Sequence, residues 1–269
     1  MKFKSSILII TSFLFCSCET GKLEFIADLP NSLKETSAIE KVNGSNLLWV
    51  IEDAGNKNNL YGLNNQGKII KDIDIDNVQN IDWEDLTSDD EGNIYIGDFG
   101  NNAKKRKQFA IYKVNQPNIT KDKTEAEVIT FELPSDMKSL DFESFFLFKD
   151  RFYVFSKSDK NCKVFSIPNQ IGHHKAQFNS EVKWKGKNNK VTSADITNDG
   201  SSIALLNHDK IWLISNFSID NIFEGQMKSI IFEHNSQKEG VFFLSNKKVL
   251  ITDEQVKSEG GNIYKFKLP

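Results

Sequence analysis

Five residues with oxygen-bearing side chains, Ser37, Glu84, Glu143, Ser193 and Glu239, stand at corresponding places in five copies of one short pattern. In each copy an acid or hydroxyl opens an apolar run, a polar turn follows, and a second strand ends at another polar residue. The clearest copy is NIDWEDLTSDDEGNIYIGDFGNN at 80–102. The others are ETSAIEKVNGSNLLWVIED (35–53), DFESFFLFKDRFYVFSKSD (141–159), VTSADITNDGSSIALLNHD (191–209) and KEGVFFLSNKKVLITDE (238–254). Three carboxylates brought to one axis with two hydroxyls repel one another strongly unless a cation joins them. Calcium suits such a set, because it accepts about six to eight oxygen ligands in flexible geometry. Glu35, Asp82, Asp85, Asp141 and Asp195 add acceptors close by in sequence. The competing expectation is that these acids bond to the backbone of neighbouring strands and hold no metal.

The elements needed to place those residues are strands. Asn93-Ile94-Tyr95-Ile96 alternates as a half-buried strand does, and Asp-Asp-Glu-Gly before it has turn chemistry. Behind the second strand of each copy comes a third: NNLYGLN, QFAIYKV, CKVFSIP, KIWLIS and GNIYKFKLP. A fourth follows in four copies: KIIKDIDID, EAEVITFELP, AQFNSEVKW and MKSIIFEH. The last copy runs out at Pro269 before a fourth strand, while an unassigned strand, KLEFIADLP at 22–30, precedes the first copy. One strand missing at one end and one spare at the other is the arithmetic of ring closure. The expectation is therefore an all-β, five-bladed β-propeller of four-stranded blades, closed by the N-terminal strand. In that fold the first strand of each blade lines the central channel. A β-sandwich would explain the alternation but not the recurring spacing.

At this point the residues resemble a known family, the soluble calcium-activated nucleotidases (apyrases), which are five-bladed propellers with an axial calcium. Glu35-Thr36-Ser37 is similar to their first-blade motif, and DWEDLTSDDEGNIYIGDFG to their second. Asp141-Phe142-Glu143 and Lys238-Glu239-Gly240 resemble the third and fifth blades, and Thr192-Ser193 the fourth. The resemblance implies calcium held by Ser37, Glu84, Glu143, Ser193 and Glu239, and metal-assisted attack of water on a phosphoanhydride. The sequence departs from the family where phosphate would be held. Ala54-Gly55 follows Glu52-Asp53 where the family has an arginine, and Asn207-His208-Asp209 lacks an expected lysine. The calcium channel is thus expected to be retained more readily than nucleotide hydrolysis.

Residues that end second strands, or sit in the loops after them, should gather on one rim. Asp53, Asp98, Arg106, Lys157, His208 and Asp253 are the candidates for binding a ligand there. Two readings follow from different classes: a binding propeller that takes a partner or ligand on this rim, and a calcium-dependent nucleotide hydrolase. Trp83, next to Glu84, is either core or a stacking surface for a planar ligand. Asp72, Asp74 and Asp76 alternate with Ile on what reads as an outer strand, and lack the Gly and Glu of a calcium loop. His173-His174 reads as a polar loop.

Composition narrows the partners. The chain of 269 residues has a formal net charge of −3, which lacks the basic footprint of a nucleic-acid binder. With 4 His and 3 Cys, dense His or Cys metal sites are not expected. Residues 1–17 have the plan of a signal peptide, with Lys2 and Lys4 before an apolar run from Ile7 to Phe15. The Cys16-Ser17-Cys18 ending resembles a bacterial lipoprotein signal, with Cys18 as the lipidated residue. The expected product is residues 18–269 as one propeller, held in the bacterial cell envelope by a lipid on Cys18. A membrane protein complex or a small phosphorylated ligand is then its expected partner.

Overall fold

Short alternating runs cut by turn residues leave no segment with the period or length of a long helix, and each strand must find its neighbour in the next few residues. A computed structural model describes residues 20–269, and among them the helical content is one 3-10 turn at Ile222–Glu224. In chain order the strands are β1 (Glu24–Asp28), β2 (Thr36–Glu40), β3 (Leu48–Glu52), β4 (Asn59–Leu63), β5 (Ile69–Ile75), β6 (Trp83–Ser88), β7 (Ile94–Asp98), β8 (Gln108–Val114), β9 (Lys123–Thr124) and β10 (Glu127–Glu132). They continue as β11 (Phe142–Phe148), β12 (Arg151–Ser156), β13 (Asn161–Pro168), β14 (Gly172–Lys175), β15 (Gln177–Lys183), β16 (Ser193–Ile196), β17 (Ser202–Leu206), β18 (Lys210–Ser215), β19 (Gln226–Ile231), β20 (Lys238–Ser245), β21 (Lys248–Asp253) and β22 (Asn262–Lys267).

Five antiparallel sheets result, with cores β2-β3-β4-β5, β6-β7-β8-β10, β11-β12-β13-β15, β16-β17-β18-β19 and β20-β21-β22-β1. Their first strands touch in a closed cycle: β2 with β6, β6 with β11, β11 with β16, β16 with β20, and β20 with β2. This is a five-bladed β-propeller. The N-terminal strand closes it as expected, with Glu24 opposite Lys265 and Asp28 opposite Asn262. The expected leader at 1–17 and the expected lipidation site Cys18 lie outside the described residues.

Two further strands were not expected. In the second blade, the connection from third to fourth strand lays β9 parallel on β5, the outer edge of the first blade. The third blade repeats the device, placing β14 parallel on β10. Both cover an otherwise open sheet edge. The second of these corrects the loop reading of His173-His174: these residues are in strand, and His173 Nδ1 lies 3.0 Å from Thr130 Oγ1. The outer-strand reading holds for Asp72 and Asp74 in β5, while Asp76 stands in the turn just after it; Lys123 of β9 pairs Asp74 and Asp76 at 3.3 and 3.0 Å.

The core lies between blades. Between the second and third blades it is largely phenylalanine, with Phe142 meeting Phe109 and Phe165 edge-on at centroid distances of 5.2 and 5.8 Å. Trp83 is fully buried, with its indole N–H donated to the Gln79 carbonyl, so it is core and not a stacking surface. Cys162 is likewise fully buried, and burial pushes its thiol pKa up, which removes it as a nucleophile.

Inner strands face the channel with an unpaired backbone edge, and buried N–H groups must find acceptors. Side chains supply them. Asp85 accepts from Phe145 N at 3.1 Å, Ala194 N at 3.2 Å, Ser193 Oγ at 3.0 Å and Leu86 N at 3.0 Å, tying the second, third and fourth blades together. Ser193 Oγ accepts from Val241 N and Asp195 accepts from Phe243 N, joining the fourth blade to the fifth. Of the sequence's two expectations for the acids, the backbone-bonding one thus describes Asp85 and Asp195. Asp85→Ala orphans three buried N–H groups and a hydroxyl at once. A loss of about 3–5 kcal/mol is expected, read as a lower denaturant midpoint with an unchanged slope.

Candidate metal centre at one mouth of the channel

The five ring positions share a local irregularity. Pairing between first and second strands slips at Thr36/Ala38, Trp83/Asp85, Phe142/Ser144 and Lys238/Gly240, which brackets Ser37, Glu84, Glu143 and Glu239. In the fourth blade Thr192 N and Ser193 both face Leu206, giving the same two-against-one count. A bulge re-aims its side chain out of strict alternation, which is how adjacent acids such as Glu84 and Asp85 both leave the apolar faces of their blade. Antiparallel pairing then sets these positions at the same end as the exits of the second strands, where Asp53, Gly100, Lys157, His208 and Glu254 lie.

Three carboxylates meet there. Oxygens of Asp53, Asp82 and Glu84 all lie within 4.8 Å of one another. Asn80 brings the first two blades together by donating to the carbonyls of Glu52 and Asp53 at 2.8 and 3.0 Å, and its own Oδ1 accepts from Trp83 N. The Gly100 turn closes over the pair from the second blade. A Cβ at Gly100 would fall 2.0 Å from Glu84 Oε1 and 2.4 Å from Asp82 Oδ2, so any larger residue there would push these two carboxylates aside. Arg106 holds that turn, donating to Asp98 Oδ1 at 2.8 Å and to the Gly100 carbonyl at 3.1 Å.

Glu84 is 8% exposed, and among the described residues its carboxylate has neither a hydrogen bond nor an ion pair. Burial, then Asp53 and Asp82, push its pKa well above the ordinary carboxylate range. The surrounding acids move the same way. Burial and then Asp53 raise Asp82 to about 6; burial and then Glu35 raise Glu52 to about 7. Burial and then Glu239 raise Glu254 to about 8, and burial is also the largest cause lifting Asp53. This end of the channel is short of positive charge.

The other expected ring residues are placed differently. Glu143 is ion-paired with Lys157, and Glu239 Oε1 lies 3.0 Å from His208 Nε2. Ser37 donates to the Trp83 carbonyl and Ser193 to Asp85. The five positions are equivalent in the fold, but the closest carboxylates to Glu84 are Asp53, from the expected rim set, and Asp82, noted only as a neighbouring acceptor. A signal for Asp82 was present: an acid two places before the ring position recurs as Glu35, Asp82 and Asp141. Of the rim candidates, Asp98 and Asp253 are fully buried in their own blades. Asp98 accepts from Tyr112 Oη at 2.8 Å besides Arg106, and Asp253 from Asn262 N and Tyr264 Oη.

The opposite mouth carries a cleft of about 730 Å³, lined among others by Glu40, Asp89, Asp150, Asp195 and Phe148, which the sequence reading did not foresee. Burial, followed by Asp195, holds the Glu40 pKa up.

Fold and mouth together define the chain as a five-bladed β-propeller with a cluster of three carboxylates at one end. No model of a known protein family matches it, and no curated protein matches it. Solved structures do. The PQQ-bound aldose sugar dehydrogenase of Streptomyces coelicolor superposes with a TM-score of 0.53 at 8% identity, covering 92% of this chain and 98% of the other. A gluconolactonase from Xanthomonas campestris gives 0.52 at 10% identity, covering 95% and 94%. At those identities the likeness is one of fold. Neither is named a nucleotidase, so these two structures add nothing to the apyrase resemblance read from the motifs.

Proposed function

We propose that the protein is a cation-dependent binding propeller of the bacterial cell envelope, anchored through a lipid on Cys18. It holds a hard divalent cation, calcium, at Asp53, Asp82 and Glu84 and presents it to oxygen donors of a ligand or partner at that mouth. The observation that carries this reading is the buried, partnerless Glu84 carboxylate beside two others. An uncompensated buried charge is costly, and a cation that binds several carboxylates removes the cost. An all-oxygen set with flexible geometry suits calcium better than a transition metal.

Hydrolysis of a phosphoanhydride is the second reading, drawn from the motifs and not favoured by the rim. A bound cation would polarise phosphate and acidify water. Transition-state charge also calls for free basic groups, and Arg106, Lys157 and His208 are each engaged by an acid. The test is thermal unfolding of the purified protein in chelator and in calcium, beside Asp53→Asn. At a hundredfold excess over Kd the expected stabilisation is about 2.7 kcal/mol, or roughly 5–10 °C, lost in the variant. Equal melting with and without calcium would end the cation reading. Calcium-dependent release of phosphate from nucleotides would move the conclusion to the hydrolase.

A further inference from the structure

We propose that Lys157 is a built-in competitor of the cation: its ammonium holds Glu143 away from the Asp53–Asp82–Glu84 cluster, and cation binding releases Glu143 to serve as a further ligand. This rests on the cation reading above and adds to it a residue that sets the affinity of the site.

Lys157 follows β12 and its Nζ pairs with Glu143 Oε1, the two side chains being 18% and 3% exposed. The second oxygen of that carboxylate, Glu143 Oε2, is buried and has no hydrogen-bond partner. Glu143 sits on β11 at the bulged position that Glu84 holds on the adjoining β6. Lys157 also reaches past its partner. Its charge opposes the upward pKa shifts of Glu84, Asp53, Asp141 and Glu254. Arg106 acts on Asp82, but its guanidinium is committed to Asp98 and the Gly100 turn. The Lys157 ammonium therefore acts on five carboxylates, of which Asp141 is also reached by Lys104 and Lys190, and only Glu143 holds it directly.

A divalent ion in the cluster changes that balance in two ways. It repels the ammonium and attracts the orphaned Glu143 oxygen, each with twice the force of a single charge. Lys157 can yield, because its long stem lets the ammonium swing to water from a partly exposed position. Glu143 has no such exit to water, because it is buried, and once released it stays in the channel. The pair at Glu239 differs: its partner His208 is 41% exposed, and no buried orphan oxygen is left on Glu239.

The test is calorimetric titration of calcium into the purified protein and four variants. Lys157→Met should bind calcium at least tenfold tighter than the parent. Lys157→Arg, which keeps the charge, should stay within about threefold. Adding Glu143→Gln to Lys157→Met should return the gain, as expected of two coupled positions. Glu143→Gln alone should weaken binding at least tenfold, since it deletes a ligand and leaves Lys157 uncompensated. That last variant preserves shape and carries the test should Lys157→Met not fold. Calcium binding by the parent with unchanged or weaker affinity in Lys157→Met, or unchanged affinity in Glu143→Gln, overturns the inference and leaves the cation reading standing. No binding by any of the five proteins overturns both.

Discussion

Deleting residues 1–30 yields a chain without a cooperative melting transition at 37 °C. Those residues supply β1, the outermost strand of the blade that begins with β20. Leu29 N also donates to the Gly261 carbonyl, and Lys22 N to Phe232 of the fourth blade, both at 2.7 Å. Burial explains why the loss is large. Leu23 packs with Leu206, Ile211 and Phe232, closing the seam between the fourth and fifth blades. Leu29 packs with Val50, Leu63 and Ile263, closing the seam between the fifth and first. Each leucine contributes about 1.5–3 kcal/mol by burial alone, before the lost ladder and the exposed edge of β22 are counted. Against a total stability of about 5–15 kcal/mol, that takes the domain to or below its threshold. Circular dichroism and size-exclusion chromatography are the checks. A control inside the same strand, Phe25→Ser at a half-exposed position, should stay within about 0.5 kcal/mol of the parent. A deletion variant that melts cooperatively within a few degrees of the parent would refute ring closure as a source of stability.

In chelator, the protein becomes more stable as pH falls from 7.5 to 5.5, against the usual course of acid denaturation. The sign follows from proton linkage. Asp82, Glu52 and Glu254 have folded-state values of about 6, 7 and 8, above their unfolded values. Between the unfolded and folded values the native state binds more protons, so stability is full below about pH 4.5 and is lost as pH rises through the folded values. These groups act together at one mouth but are partly screened by solvent, so a midpoint higher by about 2–4 °C at pH 5.5 is expected, the shift of roughly 1 kcal/mol for this size. Saturating calcium should reverse the trend, because the cation needs the carboxylates ionised. Glu84→Gln should raise the chelator midpoint at pH 7.5 by removing one charge from the cluster. A chelator midpoint that falls between pH 7.5 and 5.5 would mean that the acids are already compensated.

The blade count was legible because the acid-to-turn-to-strand pattern returns five times, and the strand arithmetic at the two termini showed how the ring closes. The added edge strands were not legible. Lys123–Thr124 and Gly172–Lys175 are too short and polar to announce themselves, and their pairing is decided by the blade they happen to reach. The ring positions were found by alignment, but which acid would meet which was not. Glu143 and Glu239 are taken by Lys157 and His208, bases at the ends of second strands whose reach depends on the bulges. Asp98 and Asp253 illustrate the same limit. They end their strands at the expected rim, yet Tyr112 and Tyr264 on the following strands draw their carboxylates into the blade. For Trp83 the sequence left both core packing and stacking on a ligand open, because it stands beside Glu84. The bulge sends the two side chains apart, one into the core and the other toward Asp53 and Asp82.

The most direct measurement is a calcium titration by calorimetry of the purified protein alongside Glu84→Gln and Asp82→Asn, with Asp199→Asn at the far mouth as control. One saturable site per chain is expected, with a dissociation constant no weaker than about 10⁻³ M, as for extracellular calcium modules. It should vanish in the two mouth variants and persist in the control. Absence of saturable binding in the parent, or binding that survives both Glu84→Gln and Asp82→Asn, would contradict a cation centre at Asp53, Asp82 and Glu84.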